Sequence, residues 1–516
     1  MAAIRMPSDY EIGQDNIRIL GLDVHNPVFV VASLTIIGFV AGVLAFRDAA
    51  ATAFEGLYAW LASTFAWVFL GASNIFVLFC LVVVVTPLGR VRLGGPDAKP
   101  DYSAWSWFAM LFAAGIGIGL MFFGVAEPID HFRNPPIGVD AADTAAAQRM
   151  AIASAIFHWG VHPWAMFAVV ALALAFAAYN LELPLTLRSA FYPVLGKAVW
   201  GGFGHVIDVL AVFAALFGLA TSLGLGAEQT AAGLAHLFGT PVTDSTKVLI
   251  VAAITAIALA SVVSGMDRGI KRLSQANLVL ALMLLAFVLT TGPTVDLFAG
   301  FLASIGHYVA AIGPLSSWVG REDLDFMHGW TTFFWAWWLS WSPFVGIFIA
   351  RVSRGRTVRG LVGCMLVVPV LLSALWMNAF GGTALSQYLD GGDRTVVAAV
   401  QAQRPELALF RMLEALPLAG LTSSVAIVLV VVFFVTSSDS GSLVIDTITA
   451  GGKLDAPVVQ RIFWCSFEGI VAITLLVSGG LVALQTAALM TGFPFALVLV
   501  GMCYSTWTGL RAARRH

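Results

Sequence analysis

Five tryptophans fall inside twelve residues: Trp330, Trp335, Trp337, Trp338 and Trp341. They belong to the uncharged run WTTFFWAWWLSWSPFVGIF (330–348), which Ser342 and Pro343 interrupt. A lone tryptophan in a membrane protein normally sits at the interface, where its N–H stays wet. Five on one span have another use. A quaternary ammonium group donates no strong hydrogen bond and is held best by aromatic faces. A second cluster, FHWGVHPWAMF (157–167), places Trp159, Trp164 and Phe167 around Pro163, a residue able to kink a helix.

Two further stretches carry polar chemistry. In FAMLFAAGIGIGLMFFGVAEP (108–128), Gly115, Gly117 and Gly119 alternate within an apolar run. Each costs a helix about 1 kcal/mol relative to Ala. Three so close either unwind the chain or let another helix pack on it. Unwound backbone survives in a bilayer only where protein buries it or it lines a wet cavity. Transporters use such breaks to offer free carbonyls to an ion and free N–H groups to a substrate. The glycines are no dinucleotide fingerprint, because no βαβ unit surrounds them. In FFVTSSDSGSLV (433–444), Phe433, Thr436, Ser437 and Ser440 share one helical face. Hydroxyls beside a freed carbonyl suit a hard cation that prefers oxygen.

The remaining polar residues have two readings each. Asp439 is intramembrane and so a functional candidate, or it hydrogen-bonds backbone near a helix end. Glu228 and Glu468 are proton sites or satisfied structural carboxylates, with structure preferred. His158 and His162 have the spacing of a helical metal pair, yet no third ligand is near in sequence. They read as packing or gating residues.

The elements that must position these groups follow from composition. The chain has 516 residues, 59% hydrophobic and only 11% charged, with mean hydropathy +0.90. Soluble proteins carry roughly 25% charged residues, so this is an all-α polytopic membrane protein. A net charge of −2 gives no sign of a nucleic-acid partner. Cys80, Cys364, Cys465 and Cys503 all lie in apolar runs and read as free thiols without metal spacing. The polar start, to about Asn26, predicts no cleavable signal peptide.

A spanning helix needs about 20 apolar residues. Twelve transmembrane helices are expected, near 27–46, 58–86, 105–125, 148–178, 205–236, 245–265, 274–294, 327–351, 358–385, 420–448, 460–480 and 484–507. With both termini cytoplasmic, 19 of the 27 Lys and Arg fall on the inside, as the positive-inside rule requires. Glu127, Asp130, Asp140, Asp143, Asp296 and Glu322 are assigned to external loops. Residues 295–326 read as an external amphipathic helix and loop, with Leu297, Phe298, Phe301, Leu302 and Ile305 at near-helical spacing. Residues 386–419 are polar, then leucine-rich.

At the motifs AAGIGIGLMFFGVAEP (113–128), FHWGVHPWA (157–165), GIKRLSQAN (269–277), WAWWLSWSPFVGIFIARVSRGR (335–356) and FFVTSSDSGSLV (433–444), the chain resembles the betaine/choline/carnitine transporter family. The resemblance implies a LeuT-like fold with two inverted five-helix repeats, here 105–294 and 327–507. A cytoplasmic tail (1–26) and two additional helices with their loop (27–104) precede them, and a short cytoplasmic tail (508–516) follows. It further implies a prokaryotic inner-membrane location and a homotrimer, whose contact the 295–326 stretch would suit. The break at Gly115–Gly119 would have its counterpart in the other repeat at Ser342 and Pro343. Such paired interruptions mark a transporter's binding site.

The resemblance also assigns residues. Trp159, Trp164, Phe167 and Trp338 would box the ammonium group, with Phe167 standing where relatives often have tyrosine. Trp341 would hold substrate on the access path, near Trp337, and Gly115, Gly117 and Gly119 would line the site. Na⁺ would be held by the carbonyls of Ala113, Ile116 and Phe433 and the hydroxyls of Thr436 and Ser437. Ile116 replaces a common methionine, which a carbonyl contact tolerates. Similar proton-coupled choline carriers have aspartate where Gly119 stands, which favours sodium coupling and a zwitterion here. Two-sodium relatives have hydroxyl residues where this chain has Ala215 and Leu219, so one sodium per substrate is expected. Relatives that sense osmotic stress use a long basic C-terminal tail, and its lack here predicts unregulated uptake.

The expected function is secondary active uptake of a quaternary ammonium or sulfonium zwitterion such as glycine betaine, with Na⁺ as coupling ion and no other cofactor. The alternative on the same scaffold is proton-coupled or exchange transport of choline or carnitine. A channel or receptor would need a repeated pore loop or a soluble ligand domain, and neither is present in the sequence. An enzyme would need a nucleophile–base pair or a metal cluster.

Overall fold

The computed structural model describes residues 9–115, 117–264 and 267–515. It opens on a two-stranded antiparallel hairpin, β1 (Asn16–Ile19) and β2 (Leu22–His25), in register Asn16↔His25 to Ile19↔Leu22. Leu20 and Gly21 both take positive φ, the geometry of a tight two-residue hairpin turn. Sequence pattern had marked this segment only as a polar tail.

Helices follow for the rest of the chain: α1 (Asn26–Ala45), α2 (Arg47–Val85), α3 (Ala104–Gly115), α4 (Ile118–Arg133), α5 (Thr144–Trp159) and α6 (Val161–Asn180). The short α7 (Tyr192–Leu195) leads to α8 (Gly202–Phe238), α9 (Asp244–Ser264), α10 (Asp267–Thr291) and α11 (Thr294–Ser316). Next come α12 (Thr332–Val352), α13 (Val358–Leu389), α14 (Thr395–Gln401), α15 (Ala408–Glu414), α16 (Ala419–Thr449) and α17 (Val458–Arg515). Among the described residues, eleven helices are long and apolar enough to cross a membrane, as a polytopic all-α membrane protein requires. A straight helix as long as α17 would span roughly 87 Å. It does not run straight, because Gly480 breaks its helical geometry at φ 57°, ψ −137°.

Helices apolar on every side are buried in protein. α6 fits this rule, and α4 is buried along nearly its whole length as well, although it carries Glu127, Asp130 and His131. α1, α9 and α11 bury only a narrow stripe and form the periphery. Val295, Phe298, Leu302 and Val309 of α11 face outward. The buried centre therefore lies where α4, α5, α6, α8, α12 and α16 pack together.

The interrupted third span is confirmed. α3 ends at Gly115 and α4 starts at Ile118, with Gly117 extended between them (φ −152°, ψ −177°). The expected counterpart is corrected: α12 runs unbroken through Pro343. Pro343 has no N–H for the Leu339 carbonyl, but the Ser342 hydroxyl donates to that carbonyl at 2.7 Å. The proline is thereby absorbed into the helix.

Candidate functional site

The two tryptophan clusters meet. α5 and α6 join at Gly160, where Val161 N–H donates to the Tyr308 hydroxyl at 3.0 Å. The break therefore precedes Pro163, which sits in the first turn of α6 and does not itself kink the chain. This corner places Trp159 at the end of α5 and Trp164 and Phe167 on the first turns of α6. Trp338 arrives from α12. Its ring lies edge-to-face with Trp159 (centroids 4.9 Å, 88°) and with Phe167 (5.7 Å, 83°). Phe167 in turn meets Trp164 at 5.4 Å and 86°. Four rings thus pack in a chain of edge-to-face contacts, which brings together the residues that the resemblance assigned to an ammonium box.

Hydrogen bonds fix the rings. Trp338 Nε1–H donates to the His158 carbonyl at 2.9 Å. Trp337 stacks beside Trp338 (5.2 Å, 25°) and donates to Ser222 Oγ of α8 at 3.1 Å. Trp341, one turn on, donates to the Gly218 carbonyl (3.0 Å) and to Ser222 Oγ (2.9 Å). Trp335 turns away from the box, stacking on His162 at 5.3 Å and 18°. Gly119 packs against the rings of Trp159 and Trp337. A Cβ there would stand 2.2 Å from Trp159 Cη2 and 2.8 Å from Trp337 Cη2, so a larger residue meets two rings at once. Gly117 borders open space.

Beneath Trp159 lies a polar group that sequence reasoning placed wrongly. Glu127 and Asp130 are not in an external loop: both belong to α4, and Glu127 is fully buried. Glu127 Oε2 accepts the Trp159 indole N–H at 2.9 Å. Its Oε1 lies 2.5 Å from His158 Nδ1 and 3.2 Å from His131 Nε2. His158 Nε2 pairs with Thr331 Oγ1 at 2.9 Å. Glu127, His131 and His158 thus offer three metal-ligand atoms within 4.8 Å of one another. Two ligands of a tetrahedral zinc stand about 3.3 Å apart. The 2.5 Å separation is that of a hydrogen bond, so this group reads as a hydrogen-bonded rack. The spacing of Glu127 and His131, four apart on one helix, was the available signal. His162 points elsewhere, to Asn74 Oδ1 (3.1 Å) and the Ser316 hydroxyl (3.2 Å), so the two histidines form no pair.

The hydroxyl face lies on α16, which is continuous and packs on α4 and α8. Thr436 Oγ1 shares its one hydrogen between the carbonyls of Val432 (2.9 Å) and Phe433 (3.1 Å). Thr436 and Ser437 are half-buried. Ile116, assigned to the same ion, lies outside the described residues, as do the side chains of Ala113 and Gly115. Ser438 turns to the opposite side and donates to Glu468 Oε2 at 2.7 Å. Asp439 pairs with Arg461 (3.5 Å) and Glu228 with Lys247 (2.5 Å), so each of these carboxylates has a protein partner. Leu219 packs against Gly441.

A box of this kind, on a bundle of this kind, can be compared with known proteins. The family model for betaine/carnitine/choline transporters matches residues 27–515. The chain belongs to this transporter family. It is 53% identical to a glycine betaine/proline/choline transporter of Vibrio parahaemolyticus, over 98% of this chain and 94% of that one. Glycine betaine transporter 1 of the same organism is 49% identical over 98% of both chains. A glycine betaine transporter of Acinetobacter baylyi is 42% identical over 94% of this chain and 73% of that protein. The protein is therefore a multi-pass membrane transporter and not an enzyme.

Proposed function

We propose that the protein takes up glycine betaine, or a similar quaternary ammonium or sulfonium zwitterion, into the cell across the bacterial inner membrane, driven by sodium. The edge-to-face box of Trp159, Trp164, Phe167 and Trp338 carries this reading. Cation–π attraction acts within about 6 Å of a ring centroid and is strongest for tryptophan. The substrates in the relatives' names carry the same argument to this chain. Na⁺ would sit on the Thr436 and Ser437 hydroxyls with the carbonyls of Phe433, Ala113 and Ile116. One sodium per substrate is the proposed ratio, with Ala215 and Leu219 offering no second set of oxygens. The crowded Gly119 leaves no carboxylate in front of the box, which favours a ligand that brings its own negative charge.

The proposed architecture has twelve spans with both termini cytoplasmic. α3 and α4 count as one broken span, α5 and α6 as one, α17 as two about Gly480, and α11 lies along the membrane surface. The spans from α3 onward would form two inverted repeats of a LeuT-like fold and alternate access around the box. The outward apolar face of α11 would serve a homotrimer. Substitution of Trp338 by leucine tests the site. Saturable betaine uptake should vanish while membrane insertion persists, and uptake at the wild-type level would overturn the assignment.

A further inference from the structure

We propose that Tyr308, on the peripheral helix α11, is a positioning residue for the substrate: its hydroxyl caps α6 and so holds the aromatic box in register. The inference rests on the reading that the box binds glycine betaine. The first N–H groups of a helix have no partner within it, and a Ser, Thr, Asp or Asn side chain just before the helix usually meets one of them. α6 has Gly160 at that position, so no side chain caps it locally. Tyr308 supplies the missing oxygen from 147 residues away, accepting the Val161 N–H at 3.0 Å. A Cβ at Gly160 would stand 2.7 Å from that hydroxyl oxygen and 2.5 Å from the Ile156 carbonyl oxygen. A self-capping residue and the cap from α11 therefore exclude one another, and this chain uses the cap from α11.

The capping oxygen is itself held in place. Tyr308 belongs to the narrow buried stripe of α11, with Leu297, Ala311 and Leu315. Towards the start of α11, the Asn378 amide of α13 donates to the Leu297 carbonyl at 2.8 Å and accepts from the Ser304 hydroxyl at 3.1 Å. At its end, the Ser316 hydroxyl lies 3.2 Å from His162 Nε2, and the Ser316 carbonyl accepts from Asn74 of α2 at 3.1 Å. α11 is thus a brace that runs from α13 to the corner between α5 and α6. All four box residues depend on that corner. Trp159 stands immediately before Gly160, and Trp164 and Phe167 follow in the first two turns of α6. Trp338 donates to the carbonyl of His158, in the last turn of α5. Without the bond to Val161, α5 and α6 are free to pivot about Gly160, which moves Trp159 relative to Trp164 and Phe167.

The test is Tyr308→Phe, which removes one oxygen and keeps the ring. In proteoliposomes of the full-length protein, KM for glycine betaine should rise about fivefold, the equivalent of about 1 kcal/mol and the usual size of a lost cap. The maximal rate should stay within about twofold of wild type, because the amount of folded transporter is unchanged. A KM within about twofold of wild type, or a fall in maximal rate alone, would reduce Tyr308 to a structural support and overturn the proposal. If the variant fails to insert, hydrogen exchange in the wild-type protein decides. Saturating glycine betaine should slow exchange in residues 157–167 and in residues 304–312 together, and slowing confined to the first segment would overturn the proposal. A wild-type protein that takes up no glycine betaine would refute the box assignment, and this proposal with it.

Discussion

Replacing Gly119 with alanine adds one methyl group where the structure has no room. The new Cβ would stand 2.2 Å from Trp159 Cη2, 3.0 Å from Trp159 Cζ3 and 2.8 Å from Trp337 Cη2. Carbon atoms rest at about 3.5–4.0 Å, so the Trp159 ring must retreat by more than about 1 Å. It cannot do so freely, because Glu127 holds its N–H at 2.9 Å and Trp338 lies edge-on against it. Overpacking of this kind costs about 1–3 kcal/mol, against which alanine's better helix propensity returns at most about 1 kcal/mol. Since the displaced ring is a wall of the box, the cost should fall on substrate affinity. At about 1.4 kcal/mol per decade, KM for glycine betaine should rise about tenfold. Initial uptake rates into proteoliposomes across a range of substrate concentrations would measure it. Gly117→Ala, whose added carbon meets nothing within 4 Å, is the matched comparison for folding. A Gly119→Ala protein with KM within about twofold of wild type would refute the proposition that this contact shapes the box.

Other outcomes follow from the same geometry. Thr436→Ala removes one oxygen from the proposed ion site, so half-saturation for sodium should rise about tenfold, near 1.4 kcal/mol, with betaine binding at saturating sodium little changed. Sodium-titrated uptake measures this. Arg188 is fully buried, pairs with Asp208 at 3.2 Å, donates to Tyr10 Oη at 2.9 Å and covers the Trp200 ring at 5.2 Å. Arg188→Leu should cost about 3–5 kcal/mol by stranding Asp208, visible as loss of folded protein in size-exclusion chromatography. His25 is pushed from its usual 6.5 to about 3 by burial and then by the neighbouring Arg188 and His205. A depressed imidazole stabilises the fold fully above pH 6.5 and loses that contribution as pH falls towards 3, about 2 kcal/mol by pH 5. Hydrogen-exchange protection factors in residues 16–25, which are corrected for the intrinsic pH dependence of exchange, should therefore fall between pH 7 and pH 5, and His25→Asn should flatten the fall.

How much of this was legible beforehand depends on the kind of signal. Spans, and the break after Gly115, were legible because a bilayer reads hydropathy and helix propensity directly. Composition of the box was legible through the resemblance, and Trp159, Trp164, Phe167 and Trp338 do come together. Glu127 was missed because an acidic residue ends a hydropathy window, and the third span was stopped at 125 although α4 continues to Arg133. Its burial depends on Trp159, His131 and His158 arriving from α4 and α5, a fact of packing and not of pattern. Pro343 misled for the opposite reason. A local rule marks it as a break, and one hydroxyl on Ser342 removes the need for it.

The central claim is sodium-driven uptake of a quaternary ammonium zwitterion through this box. Radiolabelled glycine betaine uptake into proteoliposomes, with and without an inward sodium gradient, tests it most directly. Saturable accumulation that requires the gradient, lost in Trp338→Leu, is the predicted result. Uptake indifferent to sodium, or unchanged in that variant, would contradict the account.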